Sequence, residues 1–176
     1  MTPGCRGPAR IQTHLRDSPF QGFWMGGFEG ADHVNGHGQP LDPNARNGHG
    51  EKLAHDYAAL KALGIKVVRE SLGWRLFEHG GGRSLAVLRR QAQHAADQQL
   101  QVVWSLMHYG WPARLDPFER PEEFIAAFAD HCAQVAQCLA GIDGHAPVYQ
   151  PVNEISFLAW AASSTSMPMI VARLPA

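Results

Sequence analysis

From Glu51 the apolar positions fall at helical spacing, with Leu53, Tyr57, Leu60 and Leu63 on one stripe and Gly64 as a C-terminal stop. A β-branched run follows at once, so Ile65 to Arg69 is predicted as a strand leading to Ser71 and Trp74. A second helix is predicted from about Ser84 to Gln99, carrying Leu85, Leu88, Ala92 and Ala95 on its apolar side. Leu100 to Met107 is the strongest strand in the chain and runs out into His108-Tyr-Gly-Trp-Pro112. Pro121-Glu-Glu opens a third helix, with proline near the first position and acids set against the dipole. Its buried stripe is Phe124, Phe128, Cys132, Val135 and Leu139, and Gly141 and Gly144 close it. Pro147 to Glu154 is a short β-prone run whose Val and Tyr suit a buried strand, placing Asn153 and Glu154 where that strand meets a loop.

The beginning of the chain is less regular. Residues 1–20, with Pro3, Pro8 and Pro19, form an irregular lead-in. Phe20 to Phe28 is aromatic and glycine-rich and is predicted as a first strand ending at Glu29. The next twenty or so residues are expected to be a long loop without helix or strand, because Asn35-Gly36 and Asn47-Gly48 are turn signals with Pro40 and Pro43 between them. His33, His37 and His49 lie in it and are read as solvated loop histidines, since no helical or strand spacing fixes them as metal ligands. His79-Gly-Gly-Gly82 is read as a flexible turn.

Strands thus begin near residues 22, 65, 101 and 147, with a helix before each of the last three. Such alternation, at steps of about forty residues, means a parallel sheet with right-handed crossovers. A dinucleotide-binding sheet would place Gly-x-Gly-x-x-Gly after its first strand, and an α/β-hydrolase would carry Gly-x-Ser-x-Gly; neither occurs in that context. The remaining architecture is an opening α/β barrel.

Composition narrows the function classes. The 176 residues are 45% hydrophobic and 18% charged, an ordinary globular balance. A formal charge of -1 with interspersed signs gives no basic stripe for nucleic acid, and no apolar run is long enough to span a bilayer. Cys5, Cys132 and Cys138 lack metal-ligand spacing, and an odd count without a signal peptide points to reduced thiols in a cytoplasm. Cys132 and Cys138, six apart on the third helix, are expected on different faces as small core or boundary residues. No cofactor and no metal is expected.

In a barrel, chemistry sits at the C-terminal strand ends. Those ends carry Glu29, Arg69 to Trp74, His108 to Trp111, and Asn153-Glu154. Polar groups interleaved with aromatic rings suit a sugar site, where rings stack on pyranose C–H faces and His, Asn and Glu bond the hydroxyls. Trp104, inside its strand, is read as packing; Trp74 and Trp111, beyond strand ends, are candidates for either role.

Three motifs in order resemble the first half of the family-one glycoside hydrolases, the β-glucosidase-like enzymes. Arg69-Glu-Ser71-Leu-Gly-Trp74 is similar to the Arg-x-Ser-x-x-Trp of that family's second strand. Ser105-Leu106-Met-His108-Tyr-Gly-Trp-Pro112 is similar to its Thr-Leu-x-His-x-x-x-Pro, and Asn153-Glu154 stands where the family carries Asn-Glu, with Ile155 in place of the usual Pro. The resemblance covers residues 21–162 and implies the first four units of a (β/α)8 barrel, retaining hydrolysis of β-glycosides, and Glu154 as general acid/base. It further implies that Asn153 binds the sugar 2-hydroxyl, His108 holds another hydroxyl and Arg69 orients the nucleophilic carboxylate. The usual Gln-x-Glu-Gly of the first strand is absent; Glu29, within Phe28-Glu29-Gly30, is a candidate hydroxyl ligand.

The resemblance also implies a nucleophile at the end of a seventh strand, and no Asp or Glu follows Glu154. The expectation is therefore an N-terminal half of a glycosidase, truncated or read into another frame near residue 163, with 163–176 as a non-barrel tail. Its alternative is a non-catalytic carbohydrate-binding or assembly half barrel that associates through its open sheet edges. Other barrels with the same Asn-Glu pair, such as cellulase-like families, are a third reading for the substrate.

Overall fold

A computed structural model describes residues 18–77, 83–142 and 147–163. Its centre is a four-stranded parallel sheet of β1 (Met25–Gly27), β4 (Val67–Ser71), β5 (Gln101–Met107) and β6 (Val148–Val152), in that spatial order. Neighbours in sequence are neighbours in space, each pair parallel, with Gly27 opposite Arg69, Ser71 opposite Ser105 and Ser105 opposite Gln150. Helices α2 (His49–Ala62), α3 (Leu85–Asp97) and α4 (Pro121–Leu139) make the three crossovers. These are the first four β/α units of a (β/α)8 barrel, as the alternation predicts.

The core lies between the sheet and the helices. Val68 of β4 and Val102, Trp104 and Leu106 of β5 meet Tyr57 of α2, Leu88, Ala92 and Ala95 of α3, and Val135 and Leu139 of α4. Trp104 packs here, as read from its mid-strand position. Each fully buried Val or Leu contributes about 1.5–3 kcal/mol, so this layer holds the crossovers to the sheet. The predicted stripes of α3 and α4 face the core, with Ser84 accepting from Val87 N at 3.2 Å to cap α3 and Pro121 opening α4. Cys132 and Cys138 are half-buried free thiols at the edge of the same core, and Cys138 Sγ meets Leu85 O at 3.3 Å.

Four expectations are corrected. The first strand is only Met25–Gly27, and Phe23, Trp24 and Met25 are exposed, because β1 is an edge strand with one paired side. Leu63 is exposed, since α2 has already ended and Gly64, at φ +75°, turns the chain toward β4. Strand β6 is half-buried to exposed for the same reason as β1: it forms the other edge.

The fourth correction is the long loop, which contains a small antiparallel hairpin, β2 (His33–Val34) with β3 (Pro40–Leu41), and a short helix α1 (Pro43–Asn47). The turn signals that argued against structure build it instead. Asn35 Oδ1 accepts from His37 N and Gln39 N, both at 3.0 Å, to close the hairpin, and Asp42 caps α1 with Pro43 at its first position. His49 belongs to α2 and is buried, whereas His33 is half-buried and His37 exposed. A last helix, α5 (Ile155–Ser163), follows β6. No helix among the described residues is long and apolar enough to cross a membrane. Cys5, His79-Gly-Gly-Gly82, Gly144, most of the lead-in and the tail beyond residue 163 lie outside the described residues.

Candidate functional site

Strand alternation sends Arg69 and Ser71 to the face of β4 opposite the helices, with Ser105 of β5 and Gln150 of β6 on the same face. Arg69 is the centre of the resulting network. Its Nε donates to Ser105 Oγ at 2.8 Å and its Nη2 to Asn153 Oδ1 at 2.6 Å, while Ser105 Oγ donates to Gln150 Oε1 at 2.9 Å. Asn153 is buried and its backbone N–H extends the ladder to Met107 O at 2.9 Å, so both amide and chain position are fixed.

Above this floor stand His108, Tyr109, Glu29 and Glu154. His108 Nδ1 lies 2.9 Å from Ser71 Oγ. Burial, and then the Arg69 guanidinium, push its imidazole down to about 4, against the opposing pull of Glu29 and Glu154. It is therefore a neutral ring at neutral pH. Tyr109 donates a short hydrogen bond to Glu154 Oε2. Burial and that carboxylate push the phenol up to about 12. Glu154 is exposed and has φ +42°, a left-handed conformation that long side chains rarely adopt, and its carbonyl accepts from Leu158 N at 2.9 Å to open α5. Glu29 is exposed, with its carboxylate accepting from Ala31 N at 2.8 Å.

The segment after β1 is pressed onto this rim. A Cβ on Gly30 would sit 2.3 Å from Ser71 Cβ, and one on Gly110 would sit 2.6 Å from Asp32 O. Asp32 is buried and forms an ion pair with Arg75, which also donates to Leu41 O at 3.3 Å, so the hairpin is tied down at both ends. Burial outweighs Arg75 and raises the Asp32 carboxyl. His33, carried on the hairpin, presents its ring edge-on to Tyr109 at 6.4 Å between centroids.

Of the residues singled out from sequence, Arg69 and Asn153 are in direct contact, and Glu29 and Glu154 both act electrostatically on His108. Trp74 is corrected. It is 3% exposed, packed among Met107, Leu115, Phe124 and Phe128 and stacked on His131, because the turn after β4 carries it behind the rim toward α4. That position suits packing and offers no face to a ligand. Trp111 is half-buried and edge-on to Phe124. Sequence reasoning passed over Tyr109, Gln150 and His33 as site residues. The place of Tyr109 beside His108 at a strand exit was the available signal; Gln150 and His33 needed the sheet register and the hairpin.

Comparison with protein-family models finds no match, and comparison with curated proteins finds no significant match. Among solved structures, the chain is similar to an apo β-glucosidase, designated 1317, with a TM-score of 0.50 and 23% identity over 60% of this chain and 27% of that one. It is also similar to β-glucosidase 2 from the fungus Trichoderma reesei in complex with Tris, with a TM-score of 0.49 and 22% identity over 60% of this chain and 24% of that one. The chain thus spans about a quarter of the length of these structures, and the likeness to the first shows the fold: a run of β/α units from a barrel.

Proposed function

We propose that this chain carries the acid/base half of a retaining β-glycosidase site of the family-one type, with Glu154 as general acid/base. The observation that carries the reading is the meeting of Arg69, Asn153, His108, Glu29 and Glu154 at the C-terminal ends of four parallel strands. The likeness to a β-glucosidase fold supports it.

Each group has a role the geometry suits. With Oδ1 held by Arg69 and the amide also hydrogen-bonded to the Tyr109 phenol, Asn153 presents a fixed Nδ2 donor that a sugar hydroxyl would share with or take from Tyr109, a contact that can strengthen as the transition state gains oxocarbenium character. With Nδ1 engaged by Ser71, His108 offers Nε2 to another hydroxyl without adding charge. Glu29 is a further hydroxyl ligand and Trp111 a partly exposed ring for a sugar face. Glu154 protonates the leaving oxygen and later, ionised, activates water. Retaining chemistry needs a second carboxylate about 5 Å away to form the glycosyl intermediate. The Arg69 guanidinium, beside Asn153, is the cation that would keep such a nucleophile ionised.

The test is hydrolysis of aryl β-glucosides by this chain mixed with a complementary half barrel supplying the nucleophile. Activity should appear, and Glu154→Gln should depress it most for substrates with poor leaving groups. Equal loss for activated and unactivated substrates would remove Glu154 from the acid role.

A second reading, an assembly or carbohydrate-binding half barrel, draws on the exposed Phe23, Trp24 and Met25 at one sheet edge and Ile155, Phe157 and Trp160 beyond the other. Sugar binding without turnover in the complemented protein would favour it.

A further inference from the structure

A second cluster of titratable groups lies behind the rim, on the helix side of β4. His49, in the first turn of α2, is 2% exposed, with Nδ1 2.7 Å from Asp56 Oδ2 and Nε2 3.0 Å from Glu70 Oε1. Glu70 is fully buried; its Oε1 also accepts from Tyr57 Oη at 2.8 Å, and Gln91 Nε2 reaches that phenol at 3.5 Å. The Phe28 ring lies flat on the imidazole, 3.6 Å between centroids and 15° between planes. A neutral imidazole donates from one nitrogen only, so one of the two carboxylates would face a lone pair; the imidazolium donates to both.

We propose that His49 is a pH-sensitive positioning residue: as an imidazolium it ties α2 to Glu70 and to Phe28, and so fixes Glu29, Arg69 and Ser71 at the rim. Glu70 stands between Arg69 and Ser71, which point to the opposite face, so any shift of its backbone moves both. Phe28 immediately precedes Glu29. The charged and polar groups facing His49 are Asp56 and Tyr57 from α2 and Glu70 from β4. Beyond them His55 meets the other Asp56 oxygen at 3.4 Å, and Arg83 acts on Tyr57 through space.

Burial opposes the imidazolium, but Glu70 and Asp56 outweigh it and raise the His49 value above 6.5. The contribution of the clamp is therefore full below 6.5 and lost as pH rises through the higher folded value. Burial also raises the Asp56 carboxyl, and hydrogen bonds from His49 and His55 outweigh it to leave a value below 3.8. Its share is present above 3.8 and lost as pH falls through the lower folded value. The clamp is tightest in mild acid and loosens toward alkaline pH.

The test uses the whole chain and needs no turnover, so its outcome is separate from the glycosidase reading. Imidazole resonances are followed by NMR from pH 5.5 to 9, in a His33→Gln background because His33 acts on His108 through space. His49 should titrate above 6.5, and the His108 signal should move with the same inflection, since its own titration lies near 4. Melting temperature should fall by about 5 °C or more across that inflection. His49→Gln should melt lower with a flat pH profile, and His49→Gln with Glu70→Gln should recover most of the loss by removing the buried carboxylate together with its partner. If His49→Gln does not fold, the double variant and the native titration decide. A His49 inflection at or below 6.5, the same melting profile with and without His49, or a His108 signal blind to His49 would each overturn the proposal.

Discussion

His108 shows how a single side chain takes its chemistry from its surroundings. Burial comes first and the Arg69 cation second, and together they hold the ring neutral where an ordinary histidine would be half charged. The imidazole should stay neutral at every pH above about 5 and take a proton only near 4, which its NMR titration would record. Arg69→Met should move that titration upward, because it removes the opposing charge and leaves Glu29 and Glu154 pulling the other way. A downward or absent shift would mean that burial alone sets the value. His108 binds its proton more weakly folded than unfolded, so its contribution to stability is present above 6.5 and is lost as pH falls through 4. This acid-side loss is opposite in sign to the alkaline loss argued for His49.

At the scale of elements, the site depends on how closely loops approach strand ends. Gly30 has no room for a Cβ against Ser71, so Gly30→Ala should lift the segment that carries Glu29 and lower stability by about 1–3 kcal/mol in denaturant titration. A variant as stable as the parent would show that this loop does not press on β4. Helix α3 rests on a simpler device. Ser84→Ala removes the oxygen that accepts from Val87 N and should cost about 1 kcal/mol, with no change in the His108 titration, because the cap is remote from the rim.

At the scale of the whole molecule, the two sheet edges that stay unpaired among the described residues, and the exposed rings beside them, dominate. Phe23 and Trp24 are 85% and 74% exposed beside β1, and Trp160 is 50% exposed in α5, a large apolar surface for a monomer. The chain should associate, appearing heavier than its 19.3 kDa in light scattering, and Trp24→Lys with Trp160→Lys should reduce the measured mass. A monodisperse, cooperatively unfolding monomer would count against the edge argument.

The order of strands and helices was readable from the sequence because each crossover helix shows a stripe at helical spacing and each central strand a β-branched run, and these periods are local. The strand-end placement of His108, Asn153 and Glu154 followed from the same periods, since a strand that ends sends its next residues to the rim; Arg69, predicted as the last residue of its strand, lies inside β4, which runs on to Ser71. Burial did not follow. His49 was read as a loop histidine and Glu70 carried no signal of its own, and only the packing of α2 on β4 brings these residues, twenty-one apart in sequence, to within 3.0 Å. Trp74 lay beyond a strand end in a site-like motif, yet the turn that carries it folds back onto α4, a contact with Phe124 and Phe128 that no local pattern encodes. Asn35, Pro40 and Pro43 were legible as turn formers, but whether turns close a hairpin or leave a loop depends on whether their partners meet. Periodicity, set by neighbours in the chain, determined the elements and their order; charge state, exposure and contact, set by neighbours in space, were decided by the tertiary structure.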